Sequence, residues 1–384
     1  MKYREIENEQ DLRILLTGSN QISQMAFQNL NFNFTDATLE NKQFSDCLFL
    51  GCRLPETFGQ HLLADNLIFP QINAPYNSYV NSLYTKSSLL GNYVLGSPES
   101  YESTLDKIVY NHYIATGKEA QDIKETLSRR LHDHSITDAL YDFLAKYDEK
   151  KIVAVMGGHD LPRNNPSYFD VAKISKKLTE LGYLIISGGG PGAMEASHLG
   201  AWFAGRDDKD LSAALETLSL APSFKDSLWL DKAFQVLDKY SESSFDSLGI
   251  PTWLYGHEPP TPFASRIAKY FDNSVREEGL LAIAKGGVIF APGSAGTIQE
   301  IFQDAVQNHY LSFGYASPMV FLNQEYWTED RPIYPLLKEM SEKGKYKNLI
   351  LSIFDSKEDV IAEILKFTTI ELTPSANEAI IKTY

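Results

Sequence analysis

The chain has 384 residues, 43% of them hydrophobic and 22% charged, enough for a sizeable core spread over about two or three domains. A formal net charge of -15 at pH 7 and a pI near 5.0 exclude a broad basic footprint for a nucleic acid polymer or an anionic membrane, so an anionic ligand needs a local basic or amide-lined pocket. Two cysteines, Cys47 and Cys52, are too few for a disulfide framework or a four-ligand zinc site, and a charged, polar start with no apolar run of spanning length predicts a cytoplasmic protein.

Residues 1–100 read as a mixed, β-containing region. From Phe34 to Leu54 an apolar residue recurs at every fifth position (Phe34, Leu39, Phe44, Phe49, Leu54), with Phe32, Ala37, Lys42, Cys47 and Cys52 two places ahead. The spacing fits a fragment of pentapeptide repeat, wound into a β-helix with its apolar positions inward, or an ordinary pair of strands. On either reading Cys47 and Cys52 are small buried apolar residues. The tyrosines from Tyr76 to Tyr93 lack basic surroundings, so they read as core or interface and not as a base-stacking platform.

Residues 101–150 are predicted to be a helical connector. Leu105, Ile108, Val109, His112 and Tyr113 recur at three- and four-residue steps, followed by Ile123, Leu127 and Leu131. A new helix is expected at Ser135 or Thr137, where Ser-Ile-Thr-Asp has capping-box character.

Residues 151–370 carry a βαβ rhythm. A strand from Lys151 to Met156 ends in Gly157-Gly158, a helix runs from Pro166 to Leu181, and a strand from Tyr183 to Ser187 enters GGGPGAMEA, Gly188 to Ala196. Residues 207–247 read as a helical insertion. The rhythm resumes with a strand from Ile250 to Tyr255, a helix from about Ser265 to Lys285, and a strand from Gly287 to Ala291 that enters PGSAGTIQE, Pro292 to Glu300. Strands from Met319 to Asn323 and Leu349 to Phe354, a helix from Lys357 to Phe367 and a tail of residues 371–384 complete the chain. The class is α/β: a doubly wound, mostly parallel Rossmann-like sheet, with an N-terminal region holding the short repeat-like β segment and helices.

In such a sheet ligands bind outside the carboxyl ends of the strands, and three of those ends carry glycine. Gly157 and Gly158, then Gly188, Gly189, Gly190 and Gly192, then Gly293, Ser294, Ala295, Gly296 and Thr297 are the candidate phosphate-binding residues. Glycine lets backbone amides come close to an oxyanion, and a helix start adds its partial positive charge. Each rich turn feeds a helix bearing an acid, Glu195 or Glu300, and Glu195 is placed in the crevice. Neither turn closes with Gly-Lys-Ser/Thr, and neither fits the dinucleotide fingerprint with its ribose-binding acid, which excludes ATPase, kinase and NAD dehydrogenase readings. No His-Glu-x-x-His pair supports a metal hydrolase. His159 and Asp160 follow a strand end where they could touch base or ribose, Arg163 is a further phosphate candidate, and Asn308, His309 and Tyr310 read as packing or interface.

GGGPGAMEA together with PGSAGTIQE resembles the LOG (Lonely Guy) superfamily, long mislabelled lysine decarboxylases, whose signature is PGGxGTxxE with an upstream arginine. The resemblance covers roughly Lys151 to Phe367, with Ser294 standing where the family usually has a second glycine. It implies hydrolysis of the N-glycosidic bond of nucleoside 5'-monophosphates to free base and ribose 5-phosphate, without metal or organic cofactor, by a homodimer or higher homo-oligomer. It also implies a catalytic pair: the motif glutamate, Glu300, and an arginine on the preceding helix, either Arg276 or Arg266, of which Arg276 fits the family spacing better. A carboxylate suits an oxocarbenium-like ribose, and a guanidinium suits a phosphate or a departing base. The region before residue 150 is similar to the longer bacterial branch that acts on purine and pyrimidine nucleotides. The alternative on the same fold is a non-catalytic carrier of a nucleotide or of the molybdenum cofactor.

Overall fold

The computed structural model describes residues 3–33, 39, 41–55, 62 and 65–368. Phe34 and Ala37 of the five-residue pattern and the tail of residues 371–384 lie outside them. The chain divides into two compact units, Met1–Leu83 with Asn111–Phe143, and Tyr84–Tyr110 with Leu144–Tyr384.

The first unit is built on very short parallel strands. β1 (Arg4–Ile6), β3 (Met25–Gln28), β5 (Leu48–Leu50) and β6 (Leu67–Phe69) form one parallel sheet, and β2 (Gln21–Ser23) pairs with β4 (Gln43–Ser45) in another. Helix α1 (Glu9–Gly18), capped by Asn8, lies between β1 and β2 in the chain. The corners are left-handed residues that recur once per coil: Gln24 and Asp46, then Asn29 and Gly51. Phe27, Phe32, Phe44 and Phe49 fill the interior, with ring centroids of Phe27 and Phe49 only 4.9 Å apart. The five-residue spacing is therefore a coil, and it begins earlier than expected, at Ile22. Lys42, which interrupts the small-residue position, turns its ammonium to the Ser19 carbonyl at 2.7 Å and to Asn20 Oδ1 at 3.0 Å. Cys47 is buried and Cys52 half-buried, and burial pushes both thiols up, that of Cys52 to about 11, which makes them inert packing groups.

The expected 101–150 connector is not one piece. Helix α2 (Lys86–Leu90), the first part of α3 (Leu105–Ala115) and the chain between them group with the second unit, where Tyr84 pairs with Ile267 and Asp106 takes a buried ion pair from Lys269. Helix α4 (Ile123–Leu144) groups with the first unit, where the Ser78 and Ser128 hydroxyls meet at 2.7 Å. α4 is continuous, with no start at Ser135 or Thr137. Ser135 donates to the Ser78 carbonyl outside the helix and Thr137 to the Asp133 carbonyl one turn back at 2.8 Å, so neither residue caps.

The second unit is a doubly wound α/β sheet of seven parallel strands. β7 (Ile152–Met156) lies near its centre; the chain winds outward through β8 (Leu184–Ser187), β9 (Ser247–Gly249) and β10 (Arg266–Ile267). It then returns to β11 (Gly287–Phe290) beside β7 and winds the other way through β12 (Pro318–Leu322) and β13 (Ile350–Phe354). β7, β8, β11 and β12 are buried at every position, as helices on both faces require. The intervening helices are α5 (Pro166–Glu180), α6 (Ala193–Trp202), α7 (Asp208–Ser219), α8 (Trp229–Lys239), α9 (Asn273–Ile283), α10 (Ala295–Tyr310), α11 (Ile333–Glu342) and α12 (Lys357–Thr368). The 207–247 insertion is α7 and α8.

Two elements differ from expectation. The strand expected from Ile250 to Tyr255 instead occupies 247–249, because Pro251 has no N–H for a ladder and the Thr252 hydroxyl accepts from Leu254 N to start a 3-10 turn. The helix expected from Ser265 begins at Asn273, capped by Asp272, because Arg266 and Ile267 first extend the sheet beside β9. Among the described residues no helix is long and apolar enough to cross a membrane.

Candidate functional site

The strand order reverses between β7 and β11, and the turns that follow them are joined there. Gly158 N–H donates to the Pro292 carbonyl at 2.9 Å, and Ala193 N–H, opening α6, donates to the Gly158 carbonyl at 3.1 Å. Three glycine-bearing strand ends thus meet at one switch point, the position at which doubly wound sheets bind ligands.

The two rich turns have different uses. Gly188, Gly189, Gly190 and Gly192 are buried. A Cβ on Gly188 would fall on the Arg276 guanidinium and lie 2.5 Å from Met194 Sδ, and one on Gly192, whose φ is +70°, would fall on the Gly158 carbonyl. These glycines let elements approach closely. By contrast Ser294, Ala295 and Gly296 are exposed, and the Ser294 side chain makes no capping bond to α10. Among the described residues no protein group accepts from the N–H of Ala295, Gly296 or Thr297. Open first-turn amides on a 16-residue helix can take an anion, and of the candidate phosphate-binding turns the one at Gly293–Thr297 presents this opening.

Arg276 projects from α9 and is buried, with Nε donating to the Ile250 carbonyl at 2.6 Å, just beyond β9. Its guanidinium therefore sits at the carboxyl ends of β8 and β9, with no carboxylate ion pair among the described residues. Arg266, the other candidate, is on β10, whereas Arg276 is on a helix. Glu300 lies in the second turn of α10. Burial pushes its carboxyl up to about 7, while the charge of Arg276 pulls down and that of Glu277 pushes up, which places Arg276 and Glu300 in each other's field.

A second carboxylate joins them that the sequence did not single out. Glu258 Oε1 is 3.7 Å from Nε2 of both His159 and His257, and Glu258 Oε2 is 3.7 Å from the point a Cβ on Gly190 would occupy. Burial raises its carboxyl above the ordinary value against the pull of His159, His257 and Arg276. The signal available for it was the run His257-Glu258-Pro259-Pro260, a proline-fixed loop after a strand end. His159 also approaches Asp160 at 3.2 Å, and Asp160 lines the cavity beside Gly158.

Glu195 and Arg163 are corrections. Neither is open to a ligand: Arg163 Nε and Nη2 donate to the two oxygens of Glu195 at 2.7 and 2.6 Å, and the Tyr168 hydroxyl donates to Glu195 at 2.8 Å. Arg163 Nη1 is taken by the Ala221 and Trp229 carbonyls. Both side chains are buried, and a buried ion pair of this completeness holds α5, α6 and α8 together. Asn308 exchanges hydrogen bonds with the Ser317 backbone, and His309 accepts from Lys347 N–H at 2.8 Å, as packing residues would.

A cavity of about 470 Å³ opens between the ends of β7, β11 and β12, lined by Gly158, Asp160, Asn165, Gly293, Ser294 and Tyr326. The Tyr326 hydroxyl donates to the Gly293 carbonyl at 2.6 Å, bracing the turn from the β12 side. Arg276 and Glu258 stand on the β8 side of the same turns.

No family model matches the sequence, and no curated protein matches it. Among solved structures the chain is similar to the molybdenum cofactor binding protein from the phototrophic bacterium Rippkaea orientalis, at 15% identity and a TM-score of 0.35 over 57% of this chain and 97% of that one. It is similar also to the molybdenum cofactor carrier protein from Chlamydomonas reinhardtii, at 13% identity and a TM-score of 0.36 over 57% of this chain and 98% of that one. Likenesses of this size do not bear on ligand or activity, which rest on the geometry above.

Proposed function

We propose that the protein is a nucleoside 5'-monophosphate nucleosidase: water adds at C1' of the ribose, the N-glycosidic bond breaks, and free base and ribose 5-phosphate leave. The observation that carries this reading is the open helix start at Ala295–Thr297 on the same helix as Glu300, with the Arg276 guanidinium in the field of that carboxylate. The cradle amides take the 5'-phosphate. Glu300, ionised, faces the ribose, where it stabilises the cationic sugar or takes the proton of the attacking water. Arg276 is fixed through Nε, and its remaining donors clamp the phosphate or hold the departing base. No metal or organic cofactor is needed for these steps. We propose a homo-oligomer, consistent with the exposed Val306 and Tyr310 on α10.

The test is a product assay on the purified chain with AMP, GMP, CMP, UMP and IMP, following free base by chromatography, with Glu300→Gln as control. Base released by the wild type and not by the variant, with nucleotide binding kept in both, supports the reading. Binding without base release by the wild type overturns it in favour of a carrier.

A further inference from the structure

A second polar cavity lies at the opposite edge of the seven-stranded sheet. It measures about 350 Å³ and is lined by Ser243–Asp246 and Ala264–Arg266, the segments that lead into and begin β9 and β10, together with Thr85, Lys86, Ser87 and Trp202. It is thus at the amino ends of strands whose carboxyl ends face the crevice.

Its charge runs against that of the whole chain. Lys86 and Arg266 are both half-buried in a protein of net charge -15, and among the described residues neither has an ion pair. Lys86 Nζ instead rests 4.2 Å from the centre of the Trp202 ring, a contact that holds an ammonium without neutralising it. The one carboxylate among the described lining residues, Asp246, accepts from the Tyr147 hydroxyl at 2.8 Å and the Ser265 hydroxyl at 3.0 Å, with Lys146 3.6 Å away, and it lies in the field of Arg266 without forming an ion pair with it. Ser87 and Ser244 add hydroxyls that make no hydrogen bond among the described residues. Two cations without an ion pair, against one carboxylate, and free hydroxyl donors around one cavity are the complement of an oxyanion, the guanidinium supplying a fork and the ammonium a point charge. The volume exceeds what a bare phosphate fills and lies at the lower end of small-molecule sites.

We propose that this cavity is a second binding site for a small organic phosphate, separate from the crevice and independent of the activity assigned to it. Binding would draw Lys86 from the Trp202 face toward the phosphate.

The experiment uses the full chain carrying Ser294→Asp, which sets a carboxylate in the crevice cradle and leaves the second cavity untouched. It is titrated with ribose 5-phosphate, with ribose as the uncharged control, by calorimetry and by tryptophan emission. The expected result is one site for ribose 5-phosphate and none for ribose. Affinity should fall as KCl is raised and drop at least about tenfold when Lys86→Gln and Arg266→Gln are added. The emission change should vanish in Trp202→Phe. Arg266→Lys, which keeps the charge, should retain most of the binding, and an unchanged Tm in the double variant shows that the fold survives. A flat titration in the Ser294→Asp chain, or binding unaltered by the paired Gln substitutions, overturns the proposal.

Discussion

Asp304 lies one turn beyond Glu300 on α10, is buried, and leaves its Oδ2 without a hydrogen-bond partner among the described residues. Burial alone pushes its carboxyl from 3.8 to about 8. The adjoining cavity is only about 10 Å³, room for about one water, so no solvent shell relieves the ionised form. The sign follows from where the proton binds more tightly. The unfolded chain loses it near 3.8 and the folded chain near 8, so the stability from this group is fully present below the lower value and drains as pH rises through the higher. One proton is worth about 1.4 kcal/mol per pH unit inside that window, with the slope halved at the upper value, hence about 2 kcal/mol between about pH 6 and pH 8. Asp304→Asn keeps the shape of the neutral acid and removes the titration. Urea unfolding at each pH should therefore show the variant gaining about 2 kcal/mol on the wild type across those two units, or about 3–4 °C in Tm for a chain of this length. Glu300 drains stability in both proteins and cancels. Parallel stability curves for wild type and variant would refute the reasoning, because they would mean that Asp304 ionises normally and is solvated or paired.

Glu300→Gln should lower base release at least about 100-fold while leaving nucleotide Kd within a few-fold, since the carboxylate acts on the ribose and the cradle holds the phosphate. With Glu300 active when ionised and its carboxyl at about 7, wild-type kcat/KM should rise with pH through that value, and a profile flat from pH 5 to 9 would assign the chemistry elsewhere. Glu195→Ala should cost about 3–5 kcal/mol in urea unfolding by stranding the buried Arg163 guanidinium. A ligand role for Glu195 would instead leave stability intact and raise KM. Gly192→Ala should cost at least about 1–3 kcal/mol, because a residue with φ of +70° gains a Cβ against the Gly158 carbonyl.

Strands β7, β8, β11 and β12 were legible because parallel strands covered on both faces read as apolar runs, and the edge strand β13 because Leu349 to Phe354 is apolar but for Ser352. β9 and β10 were not: Ser-Leu-Gly and Arg-Ile are too short to show a period, and their places are set by pairing with β8 and with each other. Ser135 was misread because a serine that bonds to a distant carbonyl looks, in sequence, like one that caps. The open helix start after Gly293 was legible as glycines at a strand-to-helix turn. The fates of Gly188–Gly192 and Glu195 were not, since depth of burial leaves no trace in a turn motif. Glu258 comes from a loop without periodicity, and only the fold brings it beside His159 and Arg276.

The two arginines near the crevice show how the same side chain is committed to structure or left for ligand. Arg163 offers its donors to Glu195, Ala221 and Trp229 and stacks its guanidinium 4.5 Å from the Trp229 ring centre, so every direction it could present to a phosphate is taken. Arg276 spends Nε on one backbone carbonyl, and that single bond aims the guanidinium without consuming it. Its charge is instead shared through space with Glu258 and Glu300, two carboxyls that burial holds above their ordinary values. An arginine fully paired with either acid would depress that acid and leave nothing for substrate. One kept just short of pairing leaves both acids raised, Glu300 to about 7, and keeps its own charge available, and a phosphate entering the α10 cradle would add an anion on the helix that carries Glu300 and push that acid further up. Substrate binding and the protonation of Glu300 are therefore linked, so the pH at which Glu300 titrates should be higher in the nucleotide complex than in the free protein.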